Sequence, residues 1–249
     1  MFEKVNKIMI TGDTHGSSLS VIKRFKRKSI QENDIIIVCG DFGANYGNTR
    51  SESLRETCNS IGGKWIVVRG NHDARYWRDF KDNKNYHVSE DGQYLIENEY
   101  PNIYYVKDEG GLYSIGNYNF LMIPGAFSVD GELRKLWDYP FEPEEQLTQE
   151  EMNKIFQIAA DQQDKIDFVI AHTFPEKIVY SNLIYLFMDG VNQSKVDNTM
   201  EYWLNNVMEI LEKNQNFKQY FGGHFHDSKT LNEKYTILFE KVVDLSYFE

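Results

Sequence analysis

The chain has 249 residues, 41% of them apolar and 26% charged, with a net charge of −11. That balance is globular rather than disordered or fibrous, and its acidity argues against broad binding to nucleic acid or an anionic membrane. No run of about 18 apolar residues predicts a membrane span. Cys39 and Cys58, far apart, outside any CxxC pattern and with no export signal, read as reduced buried thiols of a cytoplasmic protein.

The first apolar run, "KIMITGDTHG" (7–16), reads as a buried strand that stops in polar residues and glycine. A short helix follows, opened by Ser17 or Ser18, with Leu19, Ile22 and Phe25 at helical spacing. "DIIIVCGDFG" (34–43) is the second strand, and Leu54, Cys58 and Ile61 mark a helix stopped by Gly62 and Gly63. "KWIVVRGNHD" (64–73) is the third strand, and the centre, 103–125, reads as consecutive strands joined by glycine turns. Thr148 and Glu151 form a capping box ahead of a helix with Met152, Ile155, Phe156 and Ala159 on one face. "DFVIAHTFP" (167–175) is a further strand. Met200, Trp203, Leu204, Val207 and Leu211 mark the last helix, "QYFGGHFHD" (219–227) another strand, and the tail two more. Strand–helix alternation, a β-rich centre and alternation again suggest two sheets in contact with helices outside. With no repeat, low-complexity tract or linker, one domain over 1–249 is expected.

Ligands of open α/β folds bind outside the carboxyl ends of the strands. Each of the five quoted strands ends there in metal-ligand residues: Asp13 and His15, then Asp41, Asn71 and His72, His172, and finally His224 and His226. Five of these are among the chain's six histidines; His87 is left over as a surface or core residue. The pairs Asp13/His15 and His224/His226 have i, i+2 spacing, which in extended backbone aims both side chains to one side. Gly222 and Gly223 let the backbone pass close to something there. A His/Asp/Asn set without cysteine suits Mn, Fe, Zn, Co or Ni, manganese or iron foremost, and seven donors suit two divalent ions sharing a carboxylate.

The ordered motifs "GDTHG", "GDFG", "RGNHD", "AHTFP" and "GGHFHD", spanning Gly12 to Asp227, resemble those of the calcineurin-like metallophosphoesterases. The resemblance implies a four-layer α/β/β/α sandwich of two mixed β-sheets flanked by helices. It implies that Asp13, His15 and His226 hold one ion, that Asn71, His172 and His224 hold the other, and that Asp41 bridges them. A hydroxide between the ions would attack phosphorus, and His72 would be the general acid that protonates the leaving group. Asp73 would orient His72 or cap the following helix, and Arg69 would contact phosphate or serve a structural ion pair.

Insertions at about 127–150 and 175–197 are expected to shape the substrate pocket. Within the first, Trp137, Tyr139 and Phe141 read as loop packing before a base platform, and Arg134 as a surface or structural charge. Glu142, Glu144, Glu145, Glu150 and Glu151 read as a solvated acidic face and helix start. The expected partner is a small phosphorylated substrate or a phosphoprotein, with nucleic acid disfavoured by the net charge. The rival reading is a non-catalytic metal-binding scaffold, against which stands the complete ligand set.

Overall fold

A computed structural model describes residues 2, 4–46, 49–128, 134, 136, 144–182 and 196–248. Its thirteen strands are β1 (Lys7–Thr11), β2 (Asp34–Cys39), β3 (Lys64–Val68), β4 (Tyr86–Val88), β5 (Tyr94–Glu97), β6 (Ile103–Val106), β7 (Gly111–Ile115), β8 (Tyr118–Ile123), β9 (Phe168–Ala171), β10 (Gln219–Gly222), β11 (Lys229–Asn232), β12 (Tyr235–Ile237) and β13 (Val242–Asp244). They form a seven-stranded sheet, β13-β1-β2-β3-β6-β5-β4, and a six-stranded sheet, β11-β12-β10-β9-β8-β7. Both are mixed. β1, β2, β3 and β6 run parallel in the first, and β8, β9, β10 and β12 in the second, with antiparallel strands at the edges.

Strand alternation builds the layers. On β2, Ile35, Ile37 and Cys39 face the second sheet and pack with Phe120, Phe168 and Phe221 across it. Ile36 and Val38 point the other way, towards α1 (Ser18–Phe25) and α2 (Thr49–Ile61). Strands buried on both faces are near-continuous apolar runs, which is why β2 reads DIIIVC. On the far side, α4 (Gln149–Gln162), α5 (Glu176–Asn182) and α6 (Thr199–Leu211) cover the outer face of the second sheet around Val169, Ala171 and Tyr220. The helix–sheet–sheet–helix layering is the expected one. The chain passes from the first sheet to the second at Gly110, whose φ of +76° makes the turn between β6 and β7, and returns to the first sheet after β12.

The expected caps are present. Ser17 accepts from Ser20 N, and Thr148 and Glu151 make both bonds of the capping box. Several faces differ from expectation. On α1 the buried pair is Val21 and Phe25, with Phe25 edge-on to Trp65 at 5.3 Å, whereas Leu19 and Ile22 are 76% and 45% exposed. An i, i+4 pair is enough to seat two turns of helix, so the longer apolar stripe was misleading. Phe156 likewise lies at the wet edge of α4. Strands β4, β5 and β11 and the five-residue helix α3 (Tyr76–Phe80) were not anticipated.

Candidate metal centre

The carboxyl ends of β1, β2 and β3 in one sheet and of β9 and β10 in the other meet at one place. All seven expected ligands and His72 are there. Asp13 Oδ2 lies 3.3 Å from His226 Nε2 and 3.8 Å from His15 Nε2, and those two imidazole nitrogens face each other at 2.9 Å. On the other side, Asn71 Oδ1 is 2.8 Å from His172 Nε2 and 3.1 Å from His224 Nδ1. Asp41 Oδ2 stands between, 3.3 Å from His172 Nε2, 3.8 Å from His15 Nε2 and 3.9 Å from His72 Nε2. Bonds of about 2.0–2.2 Å to a zinc-like ion bring neighbouring donors to about this spacing. The donor chemistry and geometry fit two divalent cations, one beside Asp13, His15 and His226 and one beside Asn71, His172 and His224, with Asp41 within reach of both. Among the described residues, metal-competent groups of three form around Asp13/His15/His226, Asp13/Asp41/His172 and His15/Asp41/His72.

The convergence does not come from extended backbone, as the i, i+2 spacing suggested. β1 stops at Thr11 and β10 at Gly222, and the ligands lie in turns beyond them. His15, Asp41, His224 and His226 all have positive φ, between 47° and 67°. A left-handed conformation is uncommon for residues with a side chain, and such strain collects at functional sites, where the surrounding structure over-determines it. Here the turns swing histidines inward from strands that would otherwise carry them past one another.

Close approach explains the glycine pair before His224. A Cβ on Gly223 would lie 2.1 Å from Asp13 Oδ1, and one on Gly222 would lie 2.6 Å from the Phe174 ring. In this approach the backbone N–H of His224 reaches the Asp13 carboxylate at 3.1 and 3.2 Å. The His72 N–H similarly donates to Asp41 Oδ1 at 2.9 Å, and the Cys39 carbonyl sits 2.7 Å from His172 Nδ1, leaving Nε2 towards the site.

Charge is coupled across this cluster. Burial opposes ionisation of Asp41, but His172, with His72 and His15, outweighs it and holds the carboxyl well below its ordinary range. Burial also opposes a charge on His172, but Asp41 and then Asp13 hold its pKa up to about 9. Burial and His172 together push His224 well down, while the hydrogen bond to Asp13 raises His226. The site favours an ionised Asp41 and a mixture of neutral and protonated imidazoles, whose protons a cation would displace.

Two expected catalytic residues have other positions. Asp73 is fully buried and accepts from the backbone N–H groups of Phe42, Gly43 and Gly70 at 2.9–3.1 Å, tying the loop of Asp41 to the loop of Asn71. Asp108, not Asp73, accepts the free N–H groups of Trp77 and Arg78 at the start of α3. Arg69 is 1% exposed and donates through Nη1 to the Glu145 carbonyl at 2.7 Å, a buried structural contact. Burial, reinforced by neighbouring Arg75, lowers its pKa to about 10. Arg134 is also buried rather than a surface charge, and His87 is away from the centre with Nδ1 2.7 Å from Asn98 Oδ1.

Two neighbours of the site were missed. Ser128, in the loop after β8, accepts from Asn71 Nδ2 at 2.7 Å, and Glu145, expected on a solvated acidic face, is buried and accepts from Ser128 N at 2.6 Å. β8 is parallel to β9, so its carboxyl end faces the same way as the motif strands. Applying the strand-end rule to β8 would have found Ser128. Trp137, Tyr139, Phe141, Glu142 and much of both insertions lie outside the described residues.

Residues 6–228 match the family model of the calcineurin-like phosphoesterases, and the chain belongs to that family. Among solved structures, one crystal structure is 14% identical with a TM-score of 0.54, over 98% of this chain and 96% of its own, a likeness of fold alone. A protein of unknown function, AQ665 from Aquifex aeolicus, is 12% identical over 97% of each chain with a TM-score of 0.38. A search for curated relatives returns no match. Among the described residues, no helix is long and apolar enough to cross a membrane.

Proposed function

We propose that this protein hydrolyses phosphate esters with two divalent cations, as a phosphatase or phosphodiesterase acting on a small phosphorylated substrate or a phosphoprotein. One observation carries the reading: seven donors from five loops converge as two sets on either side of the Asp41 carboxylate. When bound, two such cations supply a nucleophilic solvent oxygen near neutral pH and offset charge on the phosphoryl oxygens. Asp13, His15 and His226 hold one and Asn71, His172 and His224 the other, with Asp41 shared between them.

His72 has a different task. Its side chain is partly exposed, and its Nε2 stands 3.9 Å from Asp41, beside the two donor sets. From there a protonated imidazole can give its proton to the departing alkoxide, a contribution typically of about 10²–10⁴ in rate. Asp73 keeps His72 in place indirectly, by joining the two loops that flank it. The domain acts as one unit over residues 1–249, and manganese or iron is its native metal. The two free buried thiols, Cys39 and Cys58, support a cytoplasmic location.

Parallel turnover of p-nitrophenyl phosphate and bis-p-nitrophenyl phosphate by metal-stripped protein tests this reading. Phosphate-ester cleavage that appears on adding Mn²⁺ or Fe²⁺ supports it, and the faster substrate assigns monoester or diester preference. Protein that binds both ions and cleaves neither, nor any of a panel of nucleotides, cyclic nucleotides, phosphopeptides and sugar phosphates, contradicts it.

A further inference from the structure

A carboxamide binds a cation through oxygen, yet its two ends have nearly the same shape. His172 and His224 both face Asn71 Oδ1. Wherever those ring nitrogens carry a lone pair they can accept from a flipped amide's NH₂ group, and that arrangement closes the site to an ion. What holds the amide in its oxygen-inward form lies on its other side. With oxygen inward, the NH₂ group points into protein and needs an acceptor, because an unmet buried donor is costly. Ser128 Oγ is that acceptor, at 2.7 Å, and both residues are buried.

Ser128 is itself held by a circuit that returns to the same loop. Its N–H donates to Glu145 Oε1 at 2.6 Å. The Glu145 carbonyl accepts from Arg69 Nη1 at 2.7 Å, and the carbonyls on either side, Glu144 and Gln146, accept from Arg75 Nε at 2.9 Å and Nη2 at 2.8 Å. Arg75 is fixed in turn by a two-pronged contact with Glu151, at 2.7 and 3.2 Å. Arg69 and Arg75 stand on either side of Asn71 in the loop after β3. The two arginines therefore hold three consecutive carbonyls, these place the Glu145 carboxylate, the carboxylate places Ser128, and Ser128 tethers Asn71.

We propose that Ser128 is a positioning residue that tethers the Asn71 carboxamide through its NH₂ group, and so selectively supports the ion held by Asn71, His172 and His224. This rests on the two-ion reading above. Partners one shell outside a metal ligand are typically worth about 10–100-fold in metal affinity.

The test is calorimetric titration of metal-stripped protein with Mn²⁺, on the wild type, Ser128→Ala and Ser128→Thr, each first shown to be folded by circular dichroism and a cooperative melt. The wild type takes up two ions. Ser128→Ala weakens one step by about 10–100-fold and leaves the other within about threefold. Ser128→Thr, which keeps the hydroxyl, restores the weakened step. Two ions bound by the wild type with neither step altered in Ser128→Ala, both steps weakened alike, or a threonine variant as weak as the alanine one, each overturns the role of Ser128 alone. A wild type that takes up fewer than two ions overturns the two-ion reading, and this inference with it.

Discussion

Adding one methyl group at Gly223 probes how tightly the backbone is drawn against the first ligand. In Gly223→Ala the new Cβ lies 2.1 Å from Asp13 Oδ1 and 2.8 Å from the Cys39 carbonyl oxygen, where ordinary contact begins near 3.4 Å. The carbonyl is backbone at the end of a central strand and cannot yield, so the Asp13 carboxylate must move by about 1.3 Å. Asp13 is fully buried and tethered to the His224 N–H at 3.1 and 3.2 Å, and a movement of that size breaks the tether. Overpacking of this kind costs about 1–3 kcal/mol, which is a fall in melting temperature of about 2–12 °C for a chain of this size. The effect on chemistry is larger, because misplacement near 1 Å costs on the order of 10²-fold in rate. The assay is phosphate-ester hydrolysis normalised to bound metal, beside a thermal melt. Gly62→Ala is the control: a Cβ there meets nothing within 4 Å, although φ is +86°, so it loses about 1–2 kcal/mol of stability and keeps full activity. Wild-type turnover in Gly223→Ala would refute the argument that the glycine is required by the carboxylate.

Three further outcomes are expected. Asp41→Asn loosens both ions and abolishes turnover, read by metal analysis and hydrolysis together; near-normal activity contradicts a shared carboxylate. His72→Ala keeps its metals but slows esters of alkyl alcohols by about 10²–10⁴. It barely affects p-nitrophenyl esters, whose leaving group needs no proton, and an equal loss on both classes speaks against proton donation. Glu201, buried on α6 with Oε1 accepting from Thr173 Oγ1, has its pKa pushed by burial up to about 7. Between about 4.5 and about 7 the folded chain keeps a proton that the unfolded chain releases, so stability is fully present at acid pH and falls as pH rises through that window. Relative to Glu201→Gln, the wild type should lose up to about 3 kcal/mol between pH 4.5 and 8; parallel stability–pH curves would count against it.

The buried parallel strands were legible in the sequence because they are apolar on both faces and end abruptly in polar residues, as in DIIIVC before Gly40 and Asp41. The ligands followed from the same ends. The route by which they converge was not legible: a left-handed φ at His15, Asp41, His224 and His226 leaves no compositional trace, because these residues carry no glycine signature. Between the alternatives open for Asp73 and Arg69 the motif alone could not choose. Their place in the motif suggested chemistry, whereas their burial and backbone partners make them supports for neighbouring loops. Glu145 shows the converse, an acid in a charged run that folds inward because Ser128 N and the Arg69 contact fix it there. Short edge strands such as Tyr86–Val88, with two exposed residues, have too little apolar pattern to be recognised.

Anomalous diffraction from crystals soaked in Mn²⁺ tests the paired centre most directly. Two adjacent peaks are predicted, one contacting Asp13, His15 and His226 and the other Asn71, His172 and His224, with the Asp41 carboxylate touching both. A single peak, or none at saturating Mn²⁺, would contradict the account.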